Sequence, residues 1–406
     1  MKKTLIVSPC YLPVPAVKGG AVSTLIESII IQNEIYQETE LTVVGAYDYV
    51  AMEKSKKYKN TNFIFLNYPW WYDKIDNGID LIRNKLSKQQ INSRRYIRKL
   101  NTIRQIKHHL LNNEYDSIIF QNAGYLLQVL RSRRVREKYE GKLFYHVHND
   151  IPSNIYVKGI YCCKLLLVSD YLKENIMKIC GEDIEKQISV VKNGFNGEYF
   201  ACKMEESGKE ELLNQLKIPL NKKVILFAGR IDPSKGIREL TDAFSLLERK
   251  DVVLLIVGSQ SFGGKQNSFS LFEEDMKRKF LELYDRVFFT GYVPYLEMWK
   301  YYSISDIAVL PSMWNEPAGL TMIEASAAGV PLITTNSGGI PEYISSDWAV
   351  LLERNKNIVY SLRGAIEEVL NNEVLWKKNG ESASNFIRKH YTEKNFYYDF
   401  MKSIYK

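Results

Sequence analysis

Few of the signals that would assign a chain quickly are present. There are 5 cysteines, Cys10, Cys162, Cys163, Cys180 and Cys202. None stands in a Cys-x-x-Cys or Cys/His pattern of metal-ligand spacing, and an odd count without a framework fits a reducing compartment better than a disulfide scaffold. Histidine is scarce, at 5 residues. The pair His146 and His148 has no evident third partner for a metal. No apolar run approaches the ~20 residues that span a bilayer. The opening Met1-Lys2-Lys3 leads into only a short apolar run, and Pro13 and Pro15 interrupt the next stretch, so a secretory leader is not expected. No fixed-period repeat is visible, and the first glycine-rich loop is not Gly-x-Gly-x-x-Gly, which leaves a dinucleotide reading unsupported. The expectation is a cytoplasmic protein, either soluble or peripheral on the inner face of the cell membrane.

The chain does have length and a lopsided charge. The 406 residues suggest about two domains, and 45% apolar content is ordinary for globular cores. The net charge is +8, with 29 Lys/Arg against 20 Asp/Glu in residues 1–200 and near balance afterwards. A basic excess confined to one half points to an anionic partner or surface there.

The pattern along the chain alternates strand and helix. A strand at 4–8, a Pro-rich loop, Lys18-Gly19-Gly20 and a helix over 21–33 open a doubly wound unit. Short apolar runs at 41–46, 62–66, 116–120, 142–150, 164–169 and 187–191 read as strands of a parallel sheet. Residues 74–111 read as basic and helical. Tyr96, Leu100, Ile103, Ile106 and Leu110 recur at three or four, and Arg94, Arg95, Arg98, Lys99 and Arg104 fall mostly elsewhere on the wheel. Such a helix either covers a sheet or lies on an anionic membrane. Residues 197–221 read as charged and irregular with one helix, a passage between domains in which 201–221 is the linker. Strands then restart at 223–228, 251–257, 286–290, 307–310, 331–335 and 348–352, with helices between them. A Ser/Gly/Gln-rich stretch at 259–270 reads as a mobile loop.

Two stretches carry chemistry. In 227–236, Gly229-Arg230 leaves a buried strand and Lys235-Gly236 enters a helix. Two cations at the C-terminal end of a parallel strand suit a diphosphate, since ligands of open α/β sheets bind there. In 316–331, Glu316 and Glu324 flank seven residues, and Gly319 stands where a helical spacing begins with Leu320 and Ile323. Free N–H groups of a first helical turn favour a phosphate, and the carboxylates can accept from hydroxyls. Charge on a diphosphate together with hydroxyls on two rings describes a nucleotide sugar.

This second stretch, with Glu-Ala, Gly-Val-Pro and Gly-Gly-Ile-Pro-Glu pieces following, resembles the Glu-x7-Glu signature of the retaining glycosyltransferases of family 4. The 227–236 stretch resembles the same family's phosphate clamp. The resemblance covers the second half strongly. In the first half it rests on strand order, the Gly-Gly loop and the His strand.

The resemblance implies an α/β GT-B fold: two Rossmann-like domains facing a cleft, at 1–200 for the acceptor and 222–388 for the donor, joined by 201–221. A C-terminal helix within 389–406 would return to the first domain. It implies that Glu316 holds the transferred sugar and Glu324 the ribose. Arg230 and Lys235 would clamp the diphosphate together with Gly229 and the N–H groups of Gly319 and Leu320, and Tyr292 and Val293 would meet the base. His148 would contact the sugar, with Gly19 and Gly20 near the phosphate, and Ser337-Gly338-Gly339 would be structural turn residues. No cofactor or metal is implied beyond the nucleotide-diphosphate sugar as donor substrate, with UDP favoured.

The expected activity is transfer to a saccharide acceptor, expected to be lipid-linked, in surface or capsular polysaccharide synthesis. The expected partners are the nucleotide sugar, that acceptor and an anionic membrane, not nucleic acid. A nucleotide-sugar epimerase of similar fold and a non-catalytic relative are the alternatives.

Overall fold

The computed structural model describes residues 1–87, 95–151, 156–258 and 271–405. Arg94 and the loop expected at 259–270 lie outside these. The chain forms two compact units. The first is Met1–Val168, Lys173–Val191 and Tyr397–Lys406, and the second is Ser169–Leu172 and Lys192–Phe396.

In the first unit the described strands are β1 (Lys2–Val7), β2 (Thr39–Ala46), β3 (Thr61–Leu66), β4 (Ser117–Gln121), β5 (Leu143–Val147), β6 (Lys164–Leu167) and β7 (Ile188–Val190). They form one sheet in the order β3-β2-β1-β4-β5-β6-β7. Every pairing is parallel, as Ile6 opposite Val43 and Ile119 illustrates. Parallel neighbours need crossovers, and helices supply them. β4 and β5 are buried at every position, so both faces of the central sheet are covered.

The helical stretch expected over 74–111 is two helices, Trp71–Ser87 and Tyr96–Asn112. The second covers the unit's core with Thr102, Ile106 and Leu110, while Leu100 stays exposed. The sheet-covering reading therefore holds for this helix.

In the second unit β8 (Lys223–Ala228), β9 (Val252–Val257), β10 (Val287–Gly291), β11 (Ile307–Leu310), β12 (Leu332–Thr335) and β13 (Ala349–Leu352) form a parallel sheet ordered β10-β9-β8-β11-β12-β13. Both sheets reverse direction beside their first strand, at β1/β4 and at β8/β11. This switch point is where open α/β sheets leave a crevice at the strands' C-terminal ends.

The chain changes unit at Val191/Lys192, earlier than the boundary expected at 200. The reason is aromatic packing: buried Phe200 meets Tyr295 and Tyr302 edge-on at 5.3 and 5.9 Å. Residues 197–221 hold two helices, Gly197–Phe200 and Glu206–Gln215, rather than one.

The last helix, Glu393–Tyr405, begins in the second unit and from Tyr397 belongs to the first. There the Tyr397 hydroxyl donates to Asn33 Oδ1 at 2.9 Å, and the Tyr405 hydroxyl meets Thr4, Thr39 and Ser117 at the N-terminal ends of β1, β2 and β4.

Candidate active site

The second unit gathers the expected donor residues on one edge of its sheet. Gly229 and Arg230 follow β8, Tyr292 and Val293 follow β10, and Glu316 follows β11 by a short loop. From β10 to β11 there are three strand gaps in the order β10-β9-β8-β11. At about 4.8 Å each they span roughly 14 Å, the scale of an extended nucleotide sugar.

The loop after β8 is built by its own side chains. Asp232 Oδ1 accepts from the Ser234 N–H at 2.9 Å and starts the turn Pro233–Lys235. Gly236 closes that turn at φ 70°, and a Cβ there would meet the Pro311 carbonyl oxygen at 1.9 Å. The turn's carbonyl at Ser234 accepts from the Met313 N–H at 2.8 Å, which ties it to the loop after β11. As a result Lys235 Nζ forms an ion pair with Glu316 Oε1, and Ser312 Oγ donates to the same oxygen at 3.2 Å. Glu316 is 6% exposed, so this pair is largely removed from water and its field is less screened. Arg230 lies 3.7 Å from Asp232 and is half-exposed.

Gly319, at φ 71°, ends that loop and begins the helix Leu320–Ala327. The first-turn N–H groups have no acceptor within the helix. Glu324 lies further along the same helix. It is 7% exposed and accepts from the Tyr302 hydroxyl at 3.2 Å. Burial pushes its carboxyl up to about 8. A neutral carboxyl both donates and accepts, which suits a pair of ring hydroxyls.

The sign of the resulting pH effect is fixed. The folded protein holds a proton that the unfolded chain releases near 4.5, so stability falls as pH rises from about 4.5 to about 8. Glu324→Gln is expected to flatten this slope by on the order of a few kcal/mol. Thermal unfolding of the ligand-free protein at pH 5 and pH 8 checks it. Parallel slopes for the two proteins would show that Glu324 is not buried in its charged-disfavouring site.

Two second-unit residues were not anticipated. Trp314 places its ring 5.3 Å from Lys235 Nζ, and its buried Nε1 has no hydrogen-bond partner among the described residues. Tyr302 is the partner of Glu324. An aromatic two residues before Glu316 was visible in the sequence. The role of Tyr302 required the packing of its helix Met298–Ser303.

In the first unit, Gly19 and Gly20 both have positive φ, 73° and 103°, and precede the helix Ala21–Tyr36. Buried Glu27 anchors their loop by accepting from the Ala16 N–H at 2.9 Å and from Lys54 Nζ at 2.8 Å. His148 lies just past β5 and is 7% exposed. Its Nε2 is 3.0 Å from Gln121 Oε1 on the neighbouring strand. Burial pushes its imidazole down to about 3, which keeps it neutral. His146 is fully buried, 4.0 Å from the His148 ring and 5.7 Å from Phe400.

Thus Arg230, Lys235, Glu316, Gly319 and Leu320 come together within the second unit, with Glu324 on the adjoining helix. Gly19, Gly20 and His148 belong to the first unit. Among the described residues no group of three or more His, Cys, Asp or Glu is placed to hold a metal ion.

Residues 208–391 match the family model described as Glycosyl transferases group 1. A Bacillus subtilis protein provisionally named as glycosyltransferase YtcC is 24% identical over 94% of this chain and 86% of its own length. The lipopolysaccharide 1,2-N-acetylglucosaminetransferase of Salmonella typhimurium is 26% identical over 60% of each. Among solved structures, Anabaena Alr3699/HepE in complex with UDP and glucose has a TM-score of 0.74, at 16% identity over 100% of this chain and 99% of that one. That likeness shows the fold.

Proposed function

We propose that the chain is a retaining glycosyltransferase that moves a sugar from a UDP-sugar to a saccharide acceptor, lipid-linked, in surface or capsular polysaccharide synthesis. The observation that carries this reading is the desolvated Lys235–Glu316 pair, set between Arg230 and the helix start at Gly319. In this reading Lys235 and Arg230 take the diphosphate, Glu316 the hydroxyls of the transferred sugar, and Glu324 those of the ribose. Tyr292 and Val293 meet the base, and His148, Gly19 and Gly20 complete the sugar side.

The bond from the sugar's anomeric carbon to the phosphate oxygen breaks, and a bond to the acceptor oxygen forms on the same face. The leaving phosphate oxygen takes the acceptor's proton. Fixed cations lower this barrier because they are already in place as charge builds on the leaving group. The UDP and glucose bound by the Anabaena protein, and the lipopolysaccharide substrate in the Salmonella enzyme's name, support the choice of donor and context. The basic excess of residues 1–200 supports peripheral attachment to an anionic membrane. No helix among the described residues is long and apolar enough to cross one.

A thermal-shift series with UDP, GDP, ADP and their sugars tests the reading. UDP should stabilise the protein most, by about 2.7 kcal/mol at a hundredfold excess over Kd. Donor incubated alone should yield neither rapid hydrolysis nor an isomerised sugar. No shift with any nucleotide, or isomerisation without acceptor, would overturn it.

A further inference from the structure

The C-terminal edge of the first sheet carries a small polar cavity. It encloses about 230 Å³, with Cys10 from the loop after β1, Tyr47 and Asp48 after β2, and Asn67 and Tyr68 after β3. Ligands of open α/β sheets bind at this edge. The volume falls below the ~300 Å³ at which drug-sized pockets begin, so it suits one sugar ring and not a nucleotide. In the order β3-β2-β1-β4-β5, its middle strand β2 is three gaps from β5, which leads to His148. At about 4.8 Å each these gaps span roughly 14 Å, more than the width of one ring.

Two arginines line the cavity. Arg95 caps the helix Tyr96–Asn112 and Arg98 lies in its first turn. The preceding helix, Trp71–Ser87, fixes that start with its inward acids. Asp76 and Asp80 are buried, Asp76 Oδ1 accepts from the Ile97 N–H at 2.8 Å, and Asp73 pairs with Arg98. Lys18 pairs with Asp48, whose Oδ1 also accepts from the Val50 and Ala51 N–H groups at 3.0 and 3.1 Å. With these pairs closed, Arg95 is the cation left over, since it has no ion pair among the described residues. Arg98 Nε is buried and has no hydrogen-bond acceptor among them. A buried N–H of this kind is costly, and a ligand oxygen would satisfy it. The Arg98 guanidinium is held 5.5 Å from the Tyr68 ring. Tyr11 and Tyr47, both partly exposed, add flat apolar surface for the C–H face of a sugar, and Asn67 can both donate to and accept from hydroxyls.

We propose that this cavity binds an anionic sugar residue of the acceptor, a ring that carries a carboxylate or a phosphate. Arg95 and Arg98 take the anion, because the guanidinium fork matches either group. The ring bound here is a neighbour of the one that receives the new bond, so the cavity reads the composition of the acceptor. The inference deepens the transfer reading and rests on it for the ligand being part of an acceptor.

The test measures binding to the full chain by saturation-transfer NMR, with methyl glucuronide, glucose 6-phosphate and methyl glucoside as probes. At least one anionic sugar should bind ~10-fold or more tightly than the neutral one, and the tighter of the two tells carboxylate from phosphate. Arg95→Gln, at an exposed position where folding is not at stake, should weaken that binding about 10-fold, and Arg98→Lys should also weaken it. Lys107→Gln removes the same charge from an exposed position of the same helix, outside the cavity, and should leave binding unchanged. The UDP-induced thermal shift is recorded alongside. Its loss in the parent protein would count against the transfer reading alone, whereas a normal shift without anionic-sugar binding counts against this proposal alone. Equal binding of the neutral sugar, parental binding by Arg95→Gln, an equal loss in Lys107→Gln, or competition by acetate or inorganic phosphate as strong as by the sugars would each overturn it.

Discussion

Replacing Lys235 by Ala is expected to lower sugar transfer at least ~10²-fold, toward the 10²–10³ typical for losing one preorganised charge contact. The substitution removes a cation and also strands its partner. Glu316, 6% exposed, would keep only the Ser312 hydroxyl on Oε1 among the described residues, so an uncompensated carboxylate would face the incoming diphosphate. Glu316→Gln should cost a similar factor for the opposite reason. Lys235 remains cationic, but the acceptor that orients the sugar's hydroxyls is weakened. Because the two side chains form one pair, the double variant should lose less than the product of the single losses. Steady-state kinetics of the three variants, with KM and kcat separated, checks this. Turnover within about threefold of the parent for both single variants would remove the pair from the site.

The second large effect is expected at Gly338. This residue has φ 57°, and a Cβ there would lie 2.3 Å from the Glu316 carbonyl oxygen and 2.8 Å from the Glu316 nitrogen. Next to it, the Gly339 N–H donates to the same Glu316 carbonyl at 2.7 Å. The turn after β12 is therefore a brace pressed against the backbone that carries Glu316. Gly338→Ala must displace that backbone and also strain its own, and should destabilise the protein by about 2–4 kcal/mol. The displaced carboxylate should lower kcat as well. Chemical denaturation and kinetics on the same preparation check both parts. An alanine variant with parental stability would mean that the loop yields more easily than its contacts imply.

That brace shows where sequence reasoning reached and where it stopped. Ser337-Gly338-Gly339 was legible as a turn, but the reason for two glycines was not. It depends on β11 and β12 being neighbours, with Leu310 opposite Thr334. The strands were the most legible part. The continuous apolar runs at 223–228 and 307–310 became β8 and β11 with the same limits, because strands buried on both faces admit nothing else. Arg230, Lys235 and Glu316 were legible as types near strand ends. Their meeting was not, since it needs the link from Met313 to Ser234. The neutral state of His148 follows from its burial, which no local pattern carries. The acidic inner side of Trp71–Ser87 ran against helical patterning altogether. A wheel places apolar residues inward by default, and the structure reverses it because Asp76 is needed at the start of the next helix.

The final helix has a bearing on how the molecule is made. Tyr397, Phe400 and Tyr405 belong to the first unit, although that unit's sheet is complete by Val190. Phe400 is fully buried there, and the Tyr405 hydroxyl closes a polar ring with Thr4, Thr39 and Ser117. A ribosome delivers β1 to β7 long before it delivers that plug. The second unit can reach its native packing while its tail is still emerging. The first must wait, open at the floor of its sheet, until translation has passed the end of the second.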